Sequence, residues 1–154
     1  MQTFYIIIKK DYLSFFEKNG NSYERVYLGG NPEFEYSLHN ANDYVERLCT
    51  MIVEEYNLDT IAEMDFVVIN NENNFISEVM TKALNQNIKE IISIDSLIKT
   101  AMINLSRDQK LYIQKYGIHF DGKSYFLRDG NLYKEEFSLV SYGLKDDMLM
   151  KFLS

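Results

Sequence analysis

Five aromatic side chains near the C-terminal end are the strongest candidates for function: Tyr125, Phe126, Tyr133, Phe137 and Tyr142. They lie on short strand-like runs broken by sharp turns and interleaved with acidic residues. On a β-ribbon one face packs on a core while the other can stay wet. Outward aromatics that cluster there make a binding patch. Their chemistry is recognition of another protein, because a tyrosine ring offers apolar area and a polar hydroxyl together.

Groups for bond-making chemistry are sparse. Zinc needs several Cys or His at fixed spacing, and the chain has two His and one Cys, far apart. His119 alternates with Ile118 and Phe120, which gives it the opposite face of a strand, most simply a solvated edge. Cys49 falls on the apolar side of a helical pattern and reads as a small buried hydrophobe. A Ser or Cys nucleophile needs a neighbouring base, and no nucleophile-elbow motif supplies one. Gly29-Gly30-Asn31-Pro32 is the only glycine pair and reads as a turn, since no helix follows at once to hold a phosphate. The carboxylate pairs Glu54-Glu55, Glu135-Glu136 and Asp146-Asp147 suit solvated faces and a helix start. No catalytic residue, metal site or cofactor is expected from these patterns.

The elements that must position such residues follow from periodicity. Phe4–Ile8, Tyr12–Glu17 and Ser22–Leu28 read as three strands, with a hairpin turn at Asn19-Gly20-Asn21. Val45, Leu48, Cys49, Ile52, Val53 and Tyr56 recur at helical spacing. The unbroken apolar run Phe66–Ile69 predicts a strand covered on both faces. Ile76, Val79, Met80, Ala83 and Leu84 predict a second helix, Ile88–Ile94 a strand, and Leu97, Ile98, Ala101, Met102 and Leu105 a third helix capped at Asp95 or Ser96. Ser106 and Gln109 are spaced as a capping box for a short helix that Gly117 ends. Asp121-Gly122 and Asp129-Gly130 then predict two tight hairpins, before a strand over Leu132–Tyr142. A final helix capped at Asp146 or Asp147 carries Met148, Leu149, Phe152 and Leu153.

The fold class is therefore α/β or α+β: a mixed sheet with packed helices, plus a C-terminal β-hairpin segment and a short helix. The change of character near Gly117 separates a main unit, 1–116, from an annex, 117–154, within what is expected to be one domain. A chain of 154 residues buries about 70% of its unfolded surface, enough to dispense with disulfides.

The order βββαβαβα over residues 4–105 resembles the ribonuclease H-like topology, which each half of actin-like ATPases also uses. The resemblance implies a nucleotide- or metal-dependent protein, with Asp11, Asp65 and Asp95, each near a strand end, as its carboxylates. The first strand, Phe4-Tyr5-Ile6-Ile7-Ile8, carries no Asp where nucleases of this fold have a metal ligand. The turn Lys9-Lys10-Asp11 has no glycine where the actin-like proteins hold phosphate. The degenerate form of that fold is the alternative reading.

Charge and composition favour the first. The net charge of −7 and a pI near 4.8 oppose nucleic acid and anionic membranes. No run approaches the ~18 apolar residues of a membrane helix, and the N-terminus lacks the pattern of a secretory signal. A cytoplasmic location is expected. The 12 Tyr and 10 Phe are more than one core of this size readily buries, so some must lie at the surface. The chain thus reads as a non-enzymatic acidic protein that binds another protein, a basic one by charge: an inhibitor, an immunity-type partner or an assembly subunit. Self-association is compatible with the same features.

Overall fold

β1 (Thr3–Ile8) is the middle strand of the larger sheet, and its five residues Phe4 to Ile8 are all buried. A computed structural model describes residues 3–35, 46–47, 50–52, 54–55, 63–70, 88–105, 111–113, 115, 117–136 and 142–153. They fall into two compact units, Met1–Ser93 and Ile94–Ser154.

In the first unit β1 pairs antiparallel with β2 (Tyr12–Asn19), which pairs antiparallel with β3 (Ser22–Arg25) and with the short β4 (Glu33–Glu35). On its other side β1 pairs parallel with β5 (Asp65–Asn70), and β5 pairs parallel with β6 (Ile88–Ser93). The order is β3-β2-β1-β5-β6. This is a mixed α/β arrangement in the ribonuclease H-like order: an antiparallel meander first, then parallel strands added beyond β1. Phe66, Val67, Val68 and Ile69 are at most 3% exposed, as their unbroken apolar run predicts.

Period-two alternation sorts the core. Phe4, Ile6, Ile8, Leu13, Phe15, Phe66 and Val68 share one face with Val26, Leu28, Phe34, Ile52 and Met64. Residues 46–47, 50–52 and 54–55 are helical, and Ile52 delivers that helix's apolar side into this cluster. Phe4 is the hub. Its ring stacks on Phe15 at 5.9 Å and meets the edge of Phe66 at 5.8 Å. Each such aromatic pair adds about 0.5–1.5 kcal/mol beyond the area buried. Cys49 and the helix expected over residues 76–84 lie outside the described residues, as do Ser106 and Gln109.

The second unit begins with α1 (Ile94–Asn104), which buries Ile94, Leu97, Ile98, Ala101 and Met102 in the expected stripe. Residues 111–113 and 115 are helical. Gly117, at φ +80°, donates its N–H to the Ile113 carbonyl at 2.7 Å, the αL stop expected of it. A four-stranded sheet follows in the order β10-β7-β8-β9: β7 (Ile118–Phe120), β8 (Lys123–Arg128), β9 (Asn131–Glu136) and β10 (Tyr142–Gly143).

Within the second unit α1 packs on β8, and its Asp95 pairs with Lys134 of β9. Two expectations differ in detail. The strand expected over Leu132–Tyr142 is two elements: β9 ends at Glu136, and β10 runs parallel to β7. The closing helix α2 (Asp146–Lys151) has Lys145 at its N-cap without a side-chain cap bond, and Asp146 and Asp147 occupy its first turn. There they oppose the positive end of the helix dipole.

Candidate functional site

The β7–β8–β9 ribbon is built by its two Asp-Gly turns. Asp121 and Gly122 have φ of 52° and 77°, and Asp129 and Gly130 have 53° and 79°. Positive φ at both central residues is the turn whose twist matches paired strands. Among the described residues these two Asp are the only non-glycines with positive φ. The pairs Phe120↔Lys123 and Arg128↔Asn131 close each turn with two residues, which pins the register of the whole ribbon.

That register assigns the faces. Tyr125 lies opposite Ile118 on one side and Lys134 on the other. Lys134 Nζ reaches Asp95 Oδ2 of α1 at 2.9 Å, so this face looks inward. Tyr125 is only 1% exposed and belongs to the core. It is a packing residue and cannot contribute to a surface patch. The opposite face carries Phe126 directly across from Tyr133, with Arg128 one pleat further toward the tip. Tyr133 is 51% exposed. Phe126 is half-buried, and the exposed Arg128 lays its guanidinium 5.6 Å from the Phe126 ring centre. Of the remaining candidates, Tyr142 lies on β10 and Phe137 lies outside the described residues.

Gly117 supports this arrangement from below. A Cβ there would stand 2.6 Å from the Tyr125 carbonyl oxygen and 2.8 Å from Cε1 of Phe126. The missing side chain lets the Phe126 ring settle against the backbone and hold one position beneath Arg128.

Two exposed residues escaped the sequence reading. Leu111 is 61% exposed and Tyr112 45%. The signal was present: Leu111-Tyr112-Ile113 is an apolar triplet on a helix, where three successive residues span too wide an arc to face inward together. Ile113 takes the buried position.

Two of the carboxylates suggested by the ribonuclease H-like order, Asp65 and Asp11, stand at opposite ends of β1. Asp65 pairs with Thr3 at the start of β1, and Asp11 sits in the turn after its end. About 17 Å of strand lies between those two ends. Asp95 belongs to the second unit and engages Lys134. Among the described residues no three of His, Cys, Asp and Glu are placed to hold a metal. His119 is half-buried, and its Nδ1 stands 3.2 Å from the Lys123 carbonyl. Ser124, opposite His119 on β8, is fully buried. Among the described residues no helix is long and apolar enough to cross a membrane.

A scan against protein-family models finds no match, and neither does a search of the curated proteins. Solved structures do match. One, from a structural study of the Aquifex aeolicus PPX-GPPA enzyme, has a TM-score of 0.38 and 11% identity, over 92% of this chain and 53% of that one. Another, the crystal structure of an Aquifex aeolicus member of the Ppx/GppA protein family, has a TM-score of 0.39 and 11% identity, over 88% and 51%. The chain spans about half the length of these solved structures. What the chain's own strand order sets is a mixed α/β fold, β3-β2-β1-β5-β6, with an antiparallel meander and parallel strands added beyond β1.

Proposed function

We propose that this is a cytosolic, non-enzymatic protein that binds another protein through the outer face of the β8–β9 ribbon, as an inhibitory or assembly subunit. The observation that carries this reading is the register pair Phe126↔Tyr133 under the Arg128 guanidinium, presented on a ribbon fixed by two Asp-Gly turns. Tyr and Arg are the residue types that most often anchor interfaces, and anchors act best when held rigid before binding. The partner this suits offers an apolar pocket for the Tyr133 ring and acceptors for Arg128.

The second unit is close to neutral, with 8 acidic against 9 basic residues. Association through the ribbon should therefore be driven by burial and depend weakly on salt. The test is affinity capture from the protein's own cytosol, followed by affinity measurement on the captured protein with Tyr133→Ala. The expected result is a loss of at least about tenfold, the scale of an interface anchor, with the far-UV spectrum unchanged. Full affinity in Tyr133→Ala and Arg128→Ala alike overturns the reading.

A further inference from the structure

We propose that Asn19 is a site of spontaneous deamidation, and that its conversion loosens the turn end of the β2–β3 hairpin for good. Asparagine is a thermolabile residue. It is lost when the backbone nitrogen of the next residue attacks its side-chain carbon. A side chain on that next residue hinders the approach, and glycine has none. Of all the asparagines in the chain, only Asn19 precedes a glycine. Asn19, Gly20 and Asn21 are all exposed, so water reaches the reacting groups.

The fold sets the rate. Asn19↔Ser22 is the last pair of the β2–β3 ladder, and Gly20, at φ +65°, opens the two-residue turn between them. The extended backbone of a strand carries the next nitrogen away from the side chain before it. Attack therefore waits for this last pair to open. Two hydrogen bonds hold it shut. Asn19 Nδ2 donates to Glu24 Oε1 at 3.2 Å, and Ser22 Oγ donates to the Asn19 carbonyl at 3.0 Å. Both bonds are exposed, at the kind of position where local opening costs least.

In the open state the Gly20 nitrogen bonds to Asn19 Cγ. The Cγ–Nδ2 bond breaks, and Nδ2 leaves as ammonia with the proton of the Gly20 N–H. Water then opens the ring at either carbonyl and leaves a carboxylate at position 19. The donor to Glu24 is gone. In its place stands a negative charge beside Glu24, which already has Glu17 as its register partner. Like charges across a strand pair oppose pairing, so the latch does not re-form. Opening at the backbone carbonyl also routes the chain through the side-chain carbon, which adds a methylene to the strand and shifts its register at the turn.

The test holds the full chain at neutral pH and growth temperature and follows it by peptide mapping with mass spectrometry. The acid is expected at position 19 before any other asparagine converts. Glu24→Ala and Glu24→Gln, both at an exposed position, each remove the charge, but only Gln keeps an acceptor for Asn19. Conversion should run about threefold faster in Glu24→Ala than in Glu24→Gln, the effect of one exposed hydrogen bond on the open population. In the converted protein, and in Asn19→Asp made directly, hydrogen exchange should quicken in β3 and stay unchanged in β5. Earlier conversion at another asparagine, equal rates in the two Glu24 variants, or unaltered exchange in β3 overturns the proposal.

Discussion

Replacing Gly117 by Ala should cost far more than the same change at Gly130, although both sit at nearly the same φ, +80° and +79°. Both variants place an L residue in the left-handed region, at about 1–2 kcal/mol. At Gly130 nothing lies within 4 Å of the added Cβ, so that cost is the whole effect. At Gly117 the Cβ meets the Tyr125 carbonyl oxygen at 2.6 Å and the Phe126 ring at 2.8 Å and 3.0 Å. The carbonyl belongs to a paired strand and cannot step aside cheaply. Relief would instead shift residue 117 and stretch its 2.7 Å bond to Ile113, worth about 0.5–1.5 kcal/mol. Overpacking adds about 1–3 kcal/mol. The sum is about 2.5–6.5 kcal/mol at Gly117 against about 1–2 at Gly130. For a protein of this size that difference lowers Tm by several degrees more. Urea unfolding followed by far-UV circular dichroism reads both, with the midpoint moving and the slope constant. Equal losses at the two glycines, or a smaller one at Gly117, would refute the packing of Phe126 on that backbone and with it the fixed position of the patch.

Phe4→Ala should destabilise by about 3–5 kcal/mol, the usual cost of emptying a fully buried phenylalanine site, whereas Tyr27→Ala, 56% exposed, should stay within about 0.5 kcal/mol; thermal unfolding compares them. Burial pushes the Tyr5 phenol up to about 12 from an ordinary 10, helped by the electrostatics and hydrogen bond of the neighbouring Tyr23 and by the charge of Glu90. Below pH 10 that phenol is neutral folded or unfolded and costs nothing. Between pH 10 and 12 the unfolded chain loses its proton first, so stability should fall across that window. The fall should be smaller in Tyr5→Phe, as measured by urea midpoints at stepped pH.

Much of the fold was legible because its signals are local. Positive φ at two successive positions demands residues such as Asp and Gly, so both hairpins could be read from the dipeptides. An apolar run as dense as Phe66–Ile69 has no wet face to offer, which placed β5 inside the sheet, between β1 and β6. The proposed binding face was only half legible. Alternation says that Tyr125 and Phe126 point opposite ways, but not which of them points inward. That choice is made by α1 and the Asp95–Lys134 pair, which lie at a distance along the chain. The break between β9 and β10 was hidden for a related reason: pairing with β7 sets β10, and no glycine or proline between Leu132 and Tyr142 marks the end of β9.

The central claim is that the outer face of the β8–β9 ribbon meets a protein partner. A photo-crosslinking amino acid placed at position 133 in growing cells tests it most directly, with position 27 on the first unit, similarly exposed, as the reference. A discrete adduct of defined mass from position 133, absent from position 27, is the predicted result. No adduct at 133, or the same adducts from both positions, would contradict it.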